Sequence, residues 1–202
     1  MGGDDNREVL NELQKDYSLH SGGNTEVSPA TFWNRAGYTE NKEAVFTQIC
    51  SSGPRKKILC IGPRWRGEII FIRDKFNCEA TGLDLFSKDE SLVKVGDMHA
   101  MPFGDNTFDV VYQKNTFNKS YDIRECLSEC VRVLRPGGAL ISDECLAYTM
   151  GVNEIARTSI HRNAWYSAYL EPHIDEVLAD IEVDPHCDWI ELAGLYAARI
   201  NK

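Results

Sequence analysis

Four short segments of this 202-residue chain carry side chains suited to holding a small polar ligand. The first is Gly62-Pro63-Arg64-Trp65-Arg66-Gly67-Glu68. A glycine there lets the chain turn sharply and approach a ligand closely, and a helix that follows offers free N–H groups to an anion. The second is Asp84, 22 positions after Gly62, a spacing that suits a carboxylate accepting hydrogen bonds from both hydroxyls of a ribose. The third is Gly96-Asp97-Met98, an acid beside a flat-lying thioether, suited to the amino group and ring face of adenine. The fourth is Gln113-Lys114-Asn115. Taken singly, each has a plainer reading: Gly62 is a turn, Asp84 a helix cap, and Asp97 with Met98 carries no signal. Their ordered recurrence, each after an apolar run, is what points to a ligand.

Acid–base candidates are scattered. Asp143-Glu144 follow a fifth apolar run, His99 and Lys119 follow the third and fourth, and His161 lies on a later helical stretch. Each has a structural alternative: His99 caps its loop and Lys119 is solvated. His161, Trp165, Tyr166 and Tyr169 share helical spacing, which suits a core stripe or a partner surface as well as a substrate wall.

The elements that must position these residues alternate in type. Lys57-Ile61, Ala80-Leu85, Leu92-Val95, Phe108-Tyr112 and Ala139-Ser142 read as strands. Between them, Glu68-Phe76 and Asp122-Leu134 have apolar residues at helical spacing, and Pro136-Gly137-Gly138 closes the second. Ahead of the first strand, Thr39 caps a helix with Val45, Phe46 and Ile49 on one face. Short turns between alternating strands and helices imply a single doubly wound, mostly parallel α/β sheet, whose ligands sit beyond the strands' carboxyl ends. Residues 1–30 read as a flexible N-terminal arm and 31–202 as one domain, with Trp33, Arg35 and Tyr38 as lid or packing residues. Beyond residue 145, Asn153-Leu170 and Pro172-Ile181 read as helices and Trp189-Ile200 as an edge or near-edge strand.

The 22 Lys+Arg against 31 Asp+Glu leave a charge of −9, which argues against nucleic acid or an anionic membrane as main partner. No apolar run suits a membrane span, and MGGDDNREVL is no secretory signal. Seven cysteines without a C-x-x-C read as buried free thiols in a reducing, cytoplasmic setting, with no metal site.

The stretches KKILCIG, TGLDL, VGDMHAMPFGDNTFDVVYQKNTF and LSECVRVLRPGGALIS resemble a class I S-adenosylmethionine-dependent methyltransferase of the small-molecule type. The resemblance implies a Rossmann-like methyltransferase fold, seven-stranded in the full family and shortened here at the C-terminal edge. It implies S-adenosyl-L-methionine as cofactor and a small-molecule acceptor. Gly62 would border the methionine moiety, Asp84 with Leu85 would hold the ribose, Asp97 and Met98 would meet adenine, and Gln113 would lie near the methionine amine.

The first loop departs from the family's G-x-G-x-G: Arg64 and Arg66 stand where glycines are usual, and Cys60 stands where an acid is common. Either an arginine pairs with the cofactor carboxylate, or the site has lost its cofactor and the chain is a binding or scaffold module with a protein partner. A nicotinamide-dependent reductase is the third reading, disfavoured because G-x-G-x-x-G is missing.

Overall fold

The computed structural model describes residues 39–63, 66–147, 169–183 and 190–202. In chain order these form α1 (Thr39–Cys50), β1 (Lys57–Ile61), α2 (Arg66–Phe76), β2 (Glu79–Asp84), β3 (Val93–Val95), β4 (Phe108–Lys114), α3 (Ile123–Val133), β5 (Leu134–Ala147), β6 (Ile174–Val183) and β7 (Ile190–Ile200). All seven strands join one sheet in the order β3-β2-β1-β4-β5-β7-β6. The first five pair in parallel, while β7 runs antiparallel to both β5 and β6. Among the described residues no helix is long and apolar enough to cross a membrane.

Alternation along the central strands explains why both faces are covered. Ile58, Cys60, Val110, Tyr112, Ala139 and Ile141 pack with Val45, Phe46 and Ile49 of α1 and Ile69, Ile72 and Phe76 of α2. Their neighbours Leu59, Ile61, Val111 and Leu140 face Cys126, Leu127, Cys130 and Val133 of α3 on the other side. A strand buried on both faces has no polar side, which is why β1 reads as an unbroken apolar run.

The chain moves outward from β1 to β2 and β3, then crosses back to β4 and β5. The order therefore reverses between β1 and β4, and the carboxyl ends of these strands are where such a sheet receives a ligand. Register places Ile61 beside both Leu83 and Gln113, so Gly62, Asp84 and the end of β4 meet at one mouth.

Two expectations for the C-terminal part are corrected. Pro172-Ile181 is not a helix: only a short 3-10 turn, Glu171–His173, precedes the edge strand β6. The strand is bulged between Ile174 and Glu176 and again between Val177 and Ala179. Ile174, Leu178 and Ile181 stand at helix-like spacing but on two faces of the sheet, Ile174 against the cluster under α3 and the other two against the cluster under α1 and α2. Nor is the sheet shortened, because β6 and β7 complete seven strands. Residues 190–200 do form a near-edge strand, β7 lying between β5 and β6. The proposed arm at 1–30, the lid or packing residues Trp33, Arg35 and Tyr38, and most of the helix at 153–170 lie outside the described residues.

Candidate functional site

Gly62 closes β1 with a left-handed backbone, φ +63°, and its N–H donates to the Leu83 carbonyl at 2.8 Å. A Cβ at this position would collide with the Thr116 side chain. Thr116 is itself fixed, its hydroxyl reaching the Ile61 carbonyl at 3.1 Å. Both strain and crowding demand glycine here.

Asp84 ends β2 next to Gly62, half-buried. Its carboxylate accepts from the Phe86 N–H at 3.3 Å and from the Leu85 N–H. Burial raises its pKa to about 6; the two N–H bonds and the charge of Lys119 only partly oppose this. Such a carboxylate gains from neutral donors brought to it, and a pair of ribose hydroxyls supplies them. Leu85, half-buried, lies alongside.

Asp97 follows β3 and is more occupied. Its Oδ1 accepts from the His99 N–H at 2.9 Å and lies 2.6 Å from His99 Nδ1, while Oδ2 accepts from the Tyr121 hydroxyl at 3.3 Å. His99 Nε2 lies 2.7 Å from the Ser120 hydroxyl and 3.5 Å from the Asp122 nitrogen. The ring stacks on Tyr121 at 3.6 Å between centroids. His99 thus ties the loop after β3 to the loop after β4. Met98, 8% exposed, packs in the core under α3.

Gln113 is sealed within the sheet. Its amide nitrogen donates to Ser142 Oγ at 2.5 Å and its oxygen accepts from the N–H groups of Thr116 and Phe117. It holds in place the Thr116 that crowds Gly62.

The acid expected after the fifth strand lies within it. Strand β5 continues to Ala147 because β7 pairs with it that far, so Asp143 sits opposite Leu195 and Glu144 opposite Gly194. Asp143 is fully buried and held 2.6 Å from Lys42 Nζ and 3.6 Å from Lys114 Nζ, with the Tyr112 hydroxyl donating at 3.2 Å. Burial lowers the Lys42 pKa, and the Asp143 charge opposes that. Lys42 is a residue that the motif reading missed. Its signal was present, since it stands three, four and seven residues before Val45, Phe46 and Ile49, on the apolar stripe of α1. The side chain of Glu144, together with Arg64 and His161, lies outside the described residues.

Arg66 opens α2 and is 67% exposed, its guanidinium 3.6 Å from Asp89. Two residues on, Glu68 is buried, near enough for its charge to support Lys42 and to add to the burial that raises Cys60. The position that holds an acid in the family pattern is therefore an un-ionised thiol with a carboxylate close by.

The loop between β3 and β4 is clamped from α3. Arg132 donates to the carbonyls of Phe103 and Met101 at 2.8 and 3.1 Å, and Glu129 accepts from the Met101 N–H at 2.7 Å. Arg132 and Glu129 also pair at 2.6 Å. This coupling gives a physical reason for GDMHAMPF and ECVRVL to occur in one chain.

A family model described as a methyltransferase domain matches residues 71–142. Malonyl-[acyl-carrier protein] O-methyltransferase 1 of Coxiella burnetii is 41% identical over 51 residues, which is 25% of this chain and 18% of that protein. Glycine/sarcosine/dimethylglycine N-methyltransferase of Actinopolyspora halophila is 28% identical over 109 residues, 46% of this chain and 19% of its own. Phosphoethanolamine N-methyltransferase 1 of Arabidopsis thaliana is 27% identical over 128 residues, 56% and 26% respectively. In each case the match spans a minor part of the relative's length. Among solved structures, geranyl diphosphate C-methyltransferase from Streptomyces coelicolor A3(2) superposes with a TM-score of 0.59 at 12% identity, covering 92% of this chain and 97% of that one. The MccD protein gives 0.57 at 14%, covering 83% and 100%. At such identities the likeness is one of fold. The reversal between β1 and β4 and the antiparallel β7 give the chain a Rossmann-like methyltransferase fold, within which residues 71–142 match a methyltransferase domain.

Proposed function

We propose that the chain binds S-adenosyl-L-methionine at the ends of β1 and β2 and directs its methyl group to a small-molecule acceptor. The observation that carries this reading is Asp84, a carboxyl raised to about 6 that accepts from the N–H groups of its own loop, one strand from the left-handed Gly62. Asp84 would hold the ribose, with Leu85 beside it. Gly62 would let the backbone approach the methionine end, and Asp97 would meet adenine over the core packed around Met98. Gln113 acts from behind, by fixing Thr116. Arg66 turns toward Asp89, which leaves Arg64 as the loop arginine for the cofactor carboxylate.

The bound cofactor supplies an electrophilic methyl group on a sulfonium sulfur. What the protein must add is alignment and exclusion of water. Neither His99 nor Asp143 is placed to take a proton from the acceptor: one spends both ring nitrogens on loop contacts, and the other is sealed against Lys42. The relatives' names, which include sarcosine, phosphoethanolamine and malonyl acceptors, support small polar substrates.

Calorimetric titration with S-adenosylhomocysteine tests the reading on wild type and Asp84→Ala. We expect saturable heat from the first and at least a tenfold loss in the second, since charge-assisted hydrogen bonds contribute roughly 1.5–3 kcal/mol each at most. Equal heats would remove Asp84 from the site. No heat from wild type at millimolar ligand would leave a methyltransferase fold serving as a binding or scaffold module.

A further inference from the structure

The rim of the mouth beside α3 carries one arginine unlike the others. Arg124 lies in the first turn of α3, just after the Asp122 cap whose carboxylate accepts the Arg124 N–H at 2.9 Å. Its Nε donates to the Tyr169 hydroxyl at 2.8 Å, and its guanidinium lies 5.0 Å from the centre of the Tyr169 ring. Tyr169 is half-buried and packs against the core cluster under α3, so the contact is anchored. Among the described residues Arg55, Arg66, Arg73, Arg132, Arg135 and Arg199 each direct a terminal nitrogen to a carbonyl or carboxylate. Both terminal nitrogens of Arg124 lack a protein partner among those residues.

Position and chemistry then converge. The segment between β4 and α3 joins this arginine to the candidate site, since Tyr121 donates to Asp97 and Ser120 contacts His99. A surface arginine ordinarily loses side-chain freedom when it grips a ligand; here one face and one nitrogen are already fixed. The fork left open presents two parallel N–H donors, the shape that matches a carboxylate or a phosphate. Its charge also stands at the rim of a mouth that holds Asp84 and Asp97, where an anionic group would otherwise be repelled.

We infer that Arg124, pinned by Tyr169, anchors an anionic group of the methyl acceptor, a carboxylate or a phosphate. The inference rests on the methyl-transfer reading for the identity of the ligand as acceptor, but not for the existence of the anion site. It makes Arg124 a specificity residue and keeps the cofactor contacts independent of it.

The test uses the whole protein loaded with S-adenosylhomocysteine, in about 0.15 M salt so that loose surface pairing is screened. Nitrogen-15 resonances of the arginine Nε–H groups are followed during titration with malonate, inorganic phosphate, or uncharged malonamide. The Arg124 signal is assigned by its loss in Arg124→Gln. We expect saturable shifts with malonate or phosphate, at an apparent Kd below about 5 mM, and none with malonamide. The stronger of the two anions identifies the group. Arg124→Lys, which keeps charge but loses the fork, should bind at least fivefold more weakly as read by calorimetry. Tyr169→Phe should weaken binding severalfold, and Arg124→Gln should abolish it. S-adenosylhomocysteine affinity should stay within twofold in all three. A linear shift for the anions, or undiminished anion binding by Arg124→Gln, overturns the assignment. If wild type fails to bind S-adenosylhomocysteine, the methyl-transfer reading falls. The same titration on cofactor-free protein then decides the anion site by the same criteria.

Discussion

Replacing Asp84 with asparagine should make the ligand-free protein more stable and, in the same step, worse at holding a nucleoside. Burial raises this carboxyl from 3.8 to about 6, a change that corresponds to about 3 kcal/mol between the two protonation states. The folded pKa lies above the unfolded one, so between about pH 4 and 6 the folded chain binds more protons, and lowering the pH through that window favours the fold. At neutral pH the ionised carboxylate is therefore a liability. Asparagine removes the charge but leaves an amide to satisfy, so we expect a net gain of about 1–2 kcal/mol, or roughly 2–8 °C in Tm for a chain of this size. Thermal unfolding from pH 4 to 8 reads both parts: the variant should lie above wild type at pH 7.5, and the gap should close as pH falls below 6. Titration with S-adenosylhomocysteine should show the opposite ranking, the amide presenting one acceptor where the carboxylate presents two. Wild-type affinity should also drop as pH falls through 6. A variant that unfolds earlier than wild type at pH 7.5, or that binds equally well, refutes the claim that Asp84 is held under strain for a ligand.

Further outcomes follow from the same geometry. Lys42→Met should cost about 3 kcal/mol or more in urea unfolding, because it removes the cation 2.6 Å from a buried carboxylate and leaves Lys114 a full ångström farther away, and Lys42→Met with Asp143→Leu should recover most of it. Gly62→Ala should destabilise by about 2 kcal/mol or more through its positive φ and the Thr116 collision, and Gly62→Ala with Thr116→Gly should recover only the collision's share. Arg132→Ala should lose about 1–2 kcal/mol and raise hydrogen exchange at residues 101–105 ahead of the rest of the sheet. Among the described cysteines, Cys50 should alkylate first. It is half-exposed, with a pKa lowered mainly by its hydrogen bond to Cys78, whereas burial raises Cys60 and Cys126.

The strands that bear the candidate site were legible because each is a short apolar run with a turn residue at its end, and strand ends are where a parallel sheet exposes its chemistry. Gly62 and Asp84 emerge from that logic unaided. Asp143 does not, because a strand's end is set by its neighbour: the pairing with β7 carries β5 beyond Ser142, and no local feature of ALISDE announces it. Strand β6 was misread because Ile174, Leu178 and Ile181 stand four and three residues apart, a spacing that mimics one helix face although the bulged strand puts Ile174 on the opposite face of the sheet. Gln113 has the residue type of a ligand and the surroundings of a strut, a distinction that exists only once Ser142 and Thr116 are brought beside it. Lys42 stood in plain view on an apolar stripe, where a lysine is the exception that asks for a buried partner.

The reversed strand has a consequence for how the chain is made. Strand β7 is the last in sequence yet lies inside the sheet, between β5 and β6. During synthesis β1 to β5 can assemble as soon as they emerge, but the open edge of β5 then waits for residues 190–200. Until they arrive, β5 presents unpaired N–H and C=O groups along one edge, a template for any neighbouring chain. When β7 arrives it must pair on both sides at once, with Gly138 meeting Ile200 across a long stretch of sequence. Strand β7 thus acts as a keystone, and a chain lacking it leaves the edge of β5 open and β6 without its partner.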